Sequence, residues 1–199
     1  HQGQYLVQYL KKLIHNLFRL NYPYTLSYNL KDHNHHLHCP LDKLIYLLSF
    51  HYKQDSWRVS QVRQIGAIEK QPLLDSNKWE EIKKAGDDAI KKWIADNMKG
   101  KECLVVLVGE KTASRRWVKH EIKKAWKDGL GVLAIHVHNL KDSDGNQSSK
   151  GSNPFTGLTV DGEAVTGKVY DPPYTTSTNV YDYIKSNIET WVSDAIKAR

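Results

Sequence analysis

The sequence predicts an α/β fold, a three-layer sandwich whose central sheet is mainly parallel. Three short apolar runs support this prediction, at residues 44–50, 103–108 and 132–137, because parallel strands buried on both faces are almost continuously apolar. Segments with the spacing of amphipathic helices alternate with these runs along the chain. Such alternation is typical of a parallel sheet with helices on both faces.

The composition fits one globular domain with an appendage. The 199 residues are 40% hydrophobic and 26% charged, and the formal net charge is +7. Lysines are spread over helix faces without a basic block or an aromatic-interleaved stripe, so the charge favours small anionic ligands over nucleic acid. Because Cys39 and Cys103 are the only cysteines, no disulfide framework is expected, and a reducing, cytoplasmic location is predicted.

Residues 1–43 are predicted to form an extension before the main domain, residues 44–199. Residues 5–20 have the pattern of an amphipathic helix, and Lys11 and Lys12 interrupt its apolar residues, so it is too short to span a bilayer, which needs ~20 apolar residues. Docking on the main domain is the favoured use of this helix, with membrane-surface binding and self-association as alternatives. Residues 21–42 are interpreted as a linker, because their histidine and cysteine tract has no matching second cluster for zinc. That tract contains His33, His35, His36, His38 and Cys39.

Further elements of the main domain follow from periodicity and helix boundary signals. A helix is predicted to end near residue 64, and residues 65–69 are predicted as a short second strand. Asn77 and Glu80 indicate the start of a helix with an apolar stripe over residues 79–93, which Gly100 ends. Residues 141–178 are too long for a simple connection and predict a rim loop or small insertion, with an edge strand at 167–170. A closing helix is predicted over residues 179–198.

Two patterns that resemble metal sites are not expected to bind a metal. His136 and His138 lie on one face of the strand at 132–137, but no further ligand is nearby in sequence. Residues 142–153 begin like a calcium-binding loop, yet Gln147 and Asn153 occupy the positions of its glycine and glutamate. The sequence therefore predicts a site without metal.

A helix predicted over residues 112–126 carries the candidate catalytic residue. Glu121 lies at the edge of its apolar face, between Trp117 and Ala125. A carboxylate in that position loses some water and holds its proton more tightly, which is one way to prepare a side chain for catalysis. The alternative is a solvated glutamate paired with Lys124.

Arg115 and Arg116 lie at the start of this helix, where positive charge opposes the helix macrodipole. Together with the free backbone N–H groups they predict a site for an anion such as a pyrophosphate, and two exposed arginines without a role are the alternative. Asp55 and Arg58 follow the first strand and are expected to meet Ser114 at the carboxyl ends of the strands. Three nearby aromatic residues are equally consistent with core packing: Phe50, Tyr52 and Trp57.

The pattern Ser114-x-x-Trp117-Val118-x-x-Glu121 resembles the catalytic helix of NAD-cleaving TIR domains, whose glutamate is the signature residue. Other stretches resemble the TIR-like proteins of the bacterial Thoeris anti-phage defence system. They are Ser49-Phe50-His51-Tyr52, Trp57-Arg58-Val59, the helix at residues 79–93 and the run at residues 138–155. The resemblance covers residues 44–199 and implies a flavodoxin-like, TIR-like fold, but it does not extend to the first 43 residues.

The resemblance also implies an enzyme of the NAD+ glycohydrolase or ADP-ribosyl cyclase type. Such an enzyme cleaves the nicotinamide–ribose bond of NAD and makes a cyclic ADP-ribose isomer as a signal. Glu121 is the candidate catalytic residue, and NAD is expected as a substrate, with no cofactor. A separate effector NADase is expected to receive the signal, a homo-oligomer is left open, and neither nucleic acid nor a membrane is expected as a partner. The candidate substrate-binding residues are Phe50, His51, Asp55, Arg58, Ser114, Arg115, Arg116 and Trp117.

The alternative function is a non-catalytic flavodoxin-like or receiver-like interaction module, in which Glu121 forms a surface ion pair. A receiver domain needs a phosphorylatable aspartate after a central strand, and the sequence Gly109-Glu110-Lys111 has none there. The sequence also lacks the phosphate-binding Gly-x-x-x-x-Gly-Lys and Gly-x-Gly-x-x-Gly loops, the Gly-x-Ser-x-Gly elbow and His-Glu-x-x-His. These absences exclude several enzyme classes but leave both functions open.

Overall fold

The structure is a computed structural model that describes residues 46–65 and 76–199. Within these residues, four strands form one sheet in the order β1-β2-β3-β6, and every pairing is parallel. The four are β1 (Tyr46–Ser49), β2 (Cys103–Val108), β3 (Gly131–His136) and β6 (Lys168–Tyr170). The predicted α/β class and mainly parallel sheet are confirmed.

Five helices connect or cover these strands in the described part of the chain: α1 (Tyr52–Arg63), α2 (Ser76–Lys84), α3 (Asp87–Met98), α4 (Arg116–Lys127) and α5 (Ser177–Lys197). Apolar residues of α1 and α5 pack on one face of the sheet, and those of α3 and α4 pack on the other. Residues of β1, β2 and β3 alternate between the two clusters, as the two-residue period of a strand requires. The result is the predicted three-layer sandwich.

The strand register places the carboxyl ends of all four strands at one edge of the sheet. Ser49, the last residue of β1, is level with Val106 of β2, and Ile135 of β3 is level with Tyr170, the last residue of β6. This edge therefore collects the residues that directly follow the strands. Ligands of open parallel sheets bind at such an edge.

The helix predicted from Asn77 to Gly100 is two helices in the structure, and the prediction of a single helix is wrong. The helical conformation is interrupted after α2 at Gly86, whose φ of 93° lies in the left-handed region that favours glycine. Helix α3 then starts with Asp87 and Asp88, whose negative charges suit a helix N-terminus. Gly100, with φ of 70°, follows the end of α3 as predicted.

The helix predicted over residues 112–126 also differs at its start. Residues Thr112–Ser114 form a single 3₁₀ turn, and Arg115 is extended (ψ 124°) before α4 begins at Arg116. Helix α1 begins at Tyr52, and Phe50 and His51 connect it to the end of β1.

The long segment 141–178 contains the predicted small insertion and edge strand. Strands β4 (Thr159–Val160) and β5 (Glu163–Ala164) form an antiparallel hairpin, and β6 forms the edge strand beside β3. Phe155, Leu158 and Val165 from this segment pack against the cluster that contains α4.

Several predictions fall on other parts of the chain. The extension at residues 1–43 and residues 66–69 of the predicted second strand lie outside the described residues. No helix in the described ranges is long and apolar enough to cross a membrane.

Candidate functional site

Glu121 and Ser49 form the centre of the candidate site at the carboxyl end of β1. The Ser49 hydroxyl donates a short hydrogen bond to Glu121 Oε2. Ser49 is buried because it ends a strand whose residues are enclosed on both faces, while Val118 and Ile122 fix α4 against the sheet. Glu121 is partly buried on the same helix. Strand β1 and helix α4 thus hold the two side chains in contact across the fold.

The surroundings of Glu121 favour its protonated form. Burial raises the pKa of Glu121 from 4.5 to about 7, and the hydrogen bond from Ser49 opposes this shift without cancelling it. The alternative in which Glu121 pairs with Lys124 is wrong, because Lys124 Nζ lies 2.7 Å from Asp128 Oδ2 and Glu121 bonds to Ser49. A carboxyl group with a pKa of about 7 changes charge readily near neutral pH.

A cavity of about 650 Å³ lies beside this pair. Phe50 follows Ser49 in sequence and lines the cavity, and Val118 lines it one helical turn before Glu121. Glu121 itself is not among the lining residues. Five of the predicted substrate-binding residues line this cavity together: Phe50, His51, Arg115, Arg116 and Trp117.

The two arginines of the cavity differ in their partners. Arg116 is exposed, forms an ion pair with Asp87 and lies over the Trp117 ring at 4.7 Å from the centroid. Arg115 is partly buried, and its Nε atom is enclosed with no hydrogen-bond partner among the described residues. A buried guanidinium N–H without a partner is costly, so Arg115 is the arginine better prepared for an anionic ligand.

His51 and Trp117 have neighbours that restrain them in this cavity. His51 Nδ1 lies 3.0 Å from Gln54 Oε1, and burial, with the nearby charge of Arg115, lowers the pKa of His51. A neutral imidazole is therefore favoured there. The His120 ring meets the Trp117 ring edge to face at 5.7 Å between centroids, which restrains the indole.

Arg58 does not line the cavity of Phe50. The Arg58 side chain is 4% exposed and donates to the Leu140 carbonyl at 2.8 Å and to the Asn146 carbonyl at 3.0 Å. It also lies 3.4 Å from carboxylate oxygens of Asp55 and Asp142. Arg58 therefore fastens the loop after β3 to helix α1, beside a separate cavity of about 520 Å³.

Asp55 lines that second cavity and is 1% exposed. Its Oδ2 accepts a hydrogen bond from Thr112 Oγ1 at 3.3 Å, and Thr112 Oγ1 accepts one from the Gly109 amide at 3.0 Å. A Cβ at Gly109 would lie 2.3 Å from the Asp55 carboxylate, so this approach requires glycine. Asp55 thus positions the loop that leads into α4.

Ser114 also lies apart from the cavity lining. It is exposed, and its hydroxyl donates to the Lys111 carbonyl at 2.9 Å, which stabilises the 3₁₀ turn before α4. Conversely, Ser49 contacts Glu121 directly although sequence reasoning did not select it. Its position at the last residue of a buried strand, immediately before Phe50 and His51, was the available signal.

Comparison with known proteins agrees with this arrangement. Residues 47–142 match the family model described as Thoeris protein ThsB, TIR-like domain. Over 112 residues the chain is 37% identical to a protein of Bacillus cereus (strain MSX-D12) named "Putative cyclic ADP-D-ribose synthase ThsB1". The match covers 54% of this chain and 58% of that relative. The chain therefore spans little more than half of the relative's length. Together with the parallel sheet, these matches show that residues 47–142 are similar to the TIR-like domain of Thoeris ThsB proteins.

Proposed function

We propose that the protein cleaves the nicotinamide–ribose bond of NAD and converts the ADP-ribose part to a cyclic isomer that serves as a signal in anti-phage defence. The observation that carries this proposal is the Glu121 carboxyl group, held by Ser49 at the carboxyl end of β1 with a pKa of about 7. The synthase name of the Bacillus cereus relative supports the same chemistry for this chain.

The reaction requires stabilisation of positive charge on the ribose. When the bond from C1′ to the nicotinamide nitrogen breaks, its electron pair leaves with neutral nicotinamide, and the ribose becomes oxocarbenium-like. A carboxylate against the ribose stabilises that cation more than it stabilises the substrate, which lowers the barrier. Glu121 has this role. An atom of the same ADP-ribose then bonds to C1′, and a proton is released to solvent. Attack by water instead gives linear ADP-ribose, again with loss of one proton.

The cavity supplies complementary groups for the rest of NAD. Its volume of about 650 Å³ lies within the range of ~300–1,000 Å³ that ligand sites occupy. Phe50 and Trp117 offer ring faces for stacking, and the unpartnered Nε of Arg115 offers a donor to the pyrophosphate. Amide groups of the first turn of α4 add further donors for the same anion. NAD is therefore a substrate, and no cofactor is needed for this chemistry.

The partners follow from the product. A cyclic nucleotide signal requires a separate receiver protein, and we propose an effector NADase in the same cytoplasm. The alternative of a non-catalytic interaction module rested on Glu121 as a surface ion pair, and the contact with Ser49 does not favour it.

Replacing Glu121 by glutamine tests the proposal. Glutamine keeps the size and hydrogen bonding of the side chain but has no negative charge, so nicotinamide release should fall by about 100-fold or more. Nicotinamide and ADP-ribose products are separated by chromatography, and circular dichroism confirms the fold. The matched control is Glu163→Gln, an exposed glutamate in β5. Turnover equal to wild type in Glu121→Gln would refute the proposal.

A wild-type protein that is silent in vitro calls for the same comparison in cells challenged with phage. Wild type and Glu121→Gln are expressed at equal levels, and the cyclic product is measured after infection. We expect product only with the wild-type protein. Equal product from the two strains would contradict the role of Glu121.

A further inference from the structure

Three side chains with metal-binding atoms meet at the carboxyl ends of β3 and β6. His136 is the last residue of β3, His138 follows two residues later, and Asp171 directly follows β6. The pairing of Ile135 with Tyr170 brings these strand ends side by side. One ligand atom from each of the three residues lies within 4.8 Å of the other two. Asp171 thus supplies a third potential ligand atom, which the sequence around the histidines does not show.

The histidines have unused nitrogen atoms at this point. His136 is 4% exposed, and its Nδ1 has no hydrogen-bond partner within the described ranges. His138 Nδ1 is likewise enclosed and unpartnered in that part of the chain. A buried imidazole nitrogen without a partner destabilises the fold unless a ligand or ion completes it.

A lysine occupies the open side of this cluster. Lys150 Nζ lies 2.6 Å from Asp171 Oδ2, and its side chain is 54% exposed. An exposed lysine of this kind forms a weak ion pair and moves away at little cost. Its ammonium group therefore leaves the Asp171 carboxylate accessible to another cation.

We propose that His136, His138 and Asp171 bind one zinc-class divalent metal ion. Two imidazoles and one carboxylate are a ligand set that suits Zn²⁺ and Co²⁺, with a further coordination position left for water. The ion joins the ends of β3 and β6 to the loop after β3, where the Ser148 amide donates to the His138 carbonyl at 2.9 Å. Its residues are distinct from Glu121 and Ser49, so the site does not depend on the proposed NAD chemistry.

The test is a competition titration of the full chain with Zn²⁺ against a chromophoric chelator. A background variant first removes the histidine and cysteine tract of residues 33–39, by changing its histidines to asparagine and Cys39 to serine. This background should bind one equivalent of Zn²⁺. Adding His138→Asn or Asp171→Asn should weaken binding about 100-fold, whereas adding His120→Asn, a histidine on α4 outside the cluster, should not. Co²⁺ should give a visible absorption band that the same two changes remove.

Lys150→Gln provides an opposite and independent effect. Removing the competing ammonium should strengthen Zn²⁺ binding by roughly 1.4- to fivefold, because exposed ion pairs contribute about 0.2–1 kcal/mol. Thermal unfolding followed by circular dichroism identifies any variant that does not fold. If His138→Asn does not fold, Asp171→Asn decides the result, because the Asp171 side chain is 41% exposed. Binding of one equivalent that survives Asp171→Asn in a folded protein would overturn the proposal. The readout is metal binding, so failure here leaves the Glu121 test unaffected.

Discussion

Two carboxyl groups near the same edge of the sheet, Asp55 and Glu121, have opposite surroundings. Burial raises the pKa of both, but Asp55 lies 3.4 Å from the Arg58 guanidinium, which opposes the shift, whereas only the neutral Ser49 hydroxyl opposes it at Glu121. The Asp55 carboxylate accepts hydrogen bonds from Arg58 and Thr112. The comparison indicates that burial alone does not mark a catalytic carboxylate. A buried carboxyl group with no cation beside it in the described part of the chain is the better candidate.

The largest expected effect is on the free energy of unfolding, and it should differ between substitutions at Asp55 and Glu121. Asp55→Ala leaves Arg58 buried without its nearest acidic partner on α1, so the free energy of unfolding should fall by about 3 kcal/mol. Glu121→Gln should not lower it at neutral pH. Urea unfolding measures both, with Asp144→Ala, an exposed aspartate, as the control. An unfolding free energy unchanged by Asp55→Ala would show that the Arg58 network is not a major support.

The pH dependence of stability tests the environment of Glu121. Since its pKa is about 7 in the folded protein and about 4.5 when unfolded, the folded state binds more protons between these values. The contribution of Glu121 to stability is therefore lost as pH rises from 4.5 to 7, by at most about 1.4 kcal/mol per pH unit. Glu121→Gln should lack this component in urea unfolding at a series of pH values. Parallel pH curves for the two proteins would show that Glu121 has an ordinary pKa.

Substitution of the two arginines tests whether an unpartnered group binds the ligand. Arg115→Ala should weaken NAD binding about tenfold, the loss of one charge-assisted hydrogen bond of roughly 1.4 kcal/mol. Arg116→Ala should weaken it less, because Arg116 is already paired with Asp87. Calorimetric titration with NAD in the Glu121→Gln background avoids turnover. A larger loss with Arg116→Ala would reverse the assignment.

The smallest effect is expected from Ser49→Ala, which removes the donor that stabilises ionised Glu121. Because the ionised form is needed, nicotinamide release by the wild type should rise with pH through about 7. In Ser49→Ala this rise should move to higher pH by roughly half a pH unit or more. Ser186→Ala, whose hydroxyl contacts a helix carbonyl far along the chain, is the control. A rise at the same pH would show that Ser49 does not tune the glutamate.

Much of the fold could be predicted from local patterns. The run that forms β2 is apolar throughout, and the run that forms β3 is apolar except for His136. Val118, Ile122 and Ala125 recur with helical spacing, so the structure of all three segments follows from burial. The break at Gly86 was missed because the apolar stripe continues on both sides of it, and sequence does not reveal a φ of 93°.

The site was predictable only where its residues are close in sequence. Phe50 with His51, and Arg115 with Trp117, line the same cavity, and sequence groups each pair because each pair follows one strand. Arg58 is predicted to bind the ligand because an arginine after a strand suits either ligand binding or a structural contact. Its structural contacts are with the carbonyls of Leu140 and Asn146, which lie more than 80 residues later in the sequence. Asp171 was missed beside His136 for the same reason, since strand order decides which distant segments meet.

The bond between Ser49 and Glu121 joins residues that are 72 positions apart, and this separation has a consequence in time. A ribosome that adds about 5–20 residues per second needs roughly 4–14 s to advance from one to the other. Strand β1 is therefore synthesised many seconds before the helix that it must hold. Until α4 docks, Glu121 remains an ordinary acidic side chain, and its unusual proton affinity appears only as the chain completes this contact.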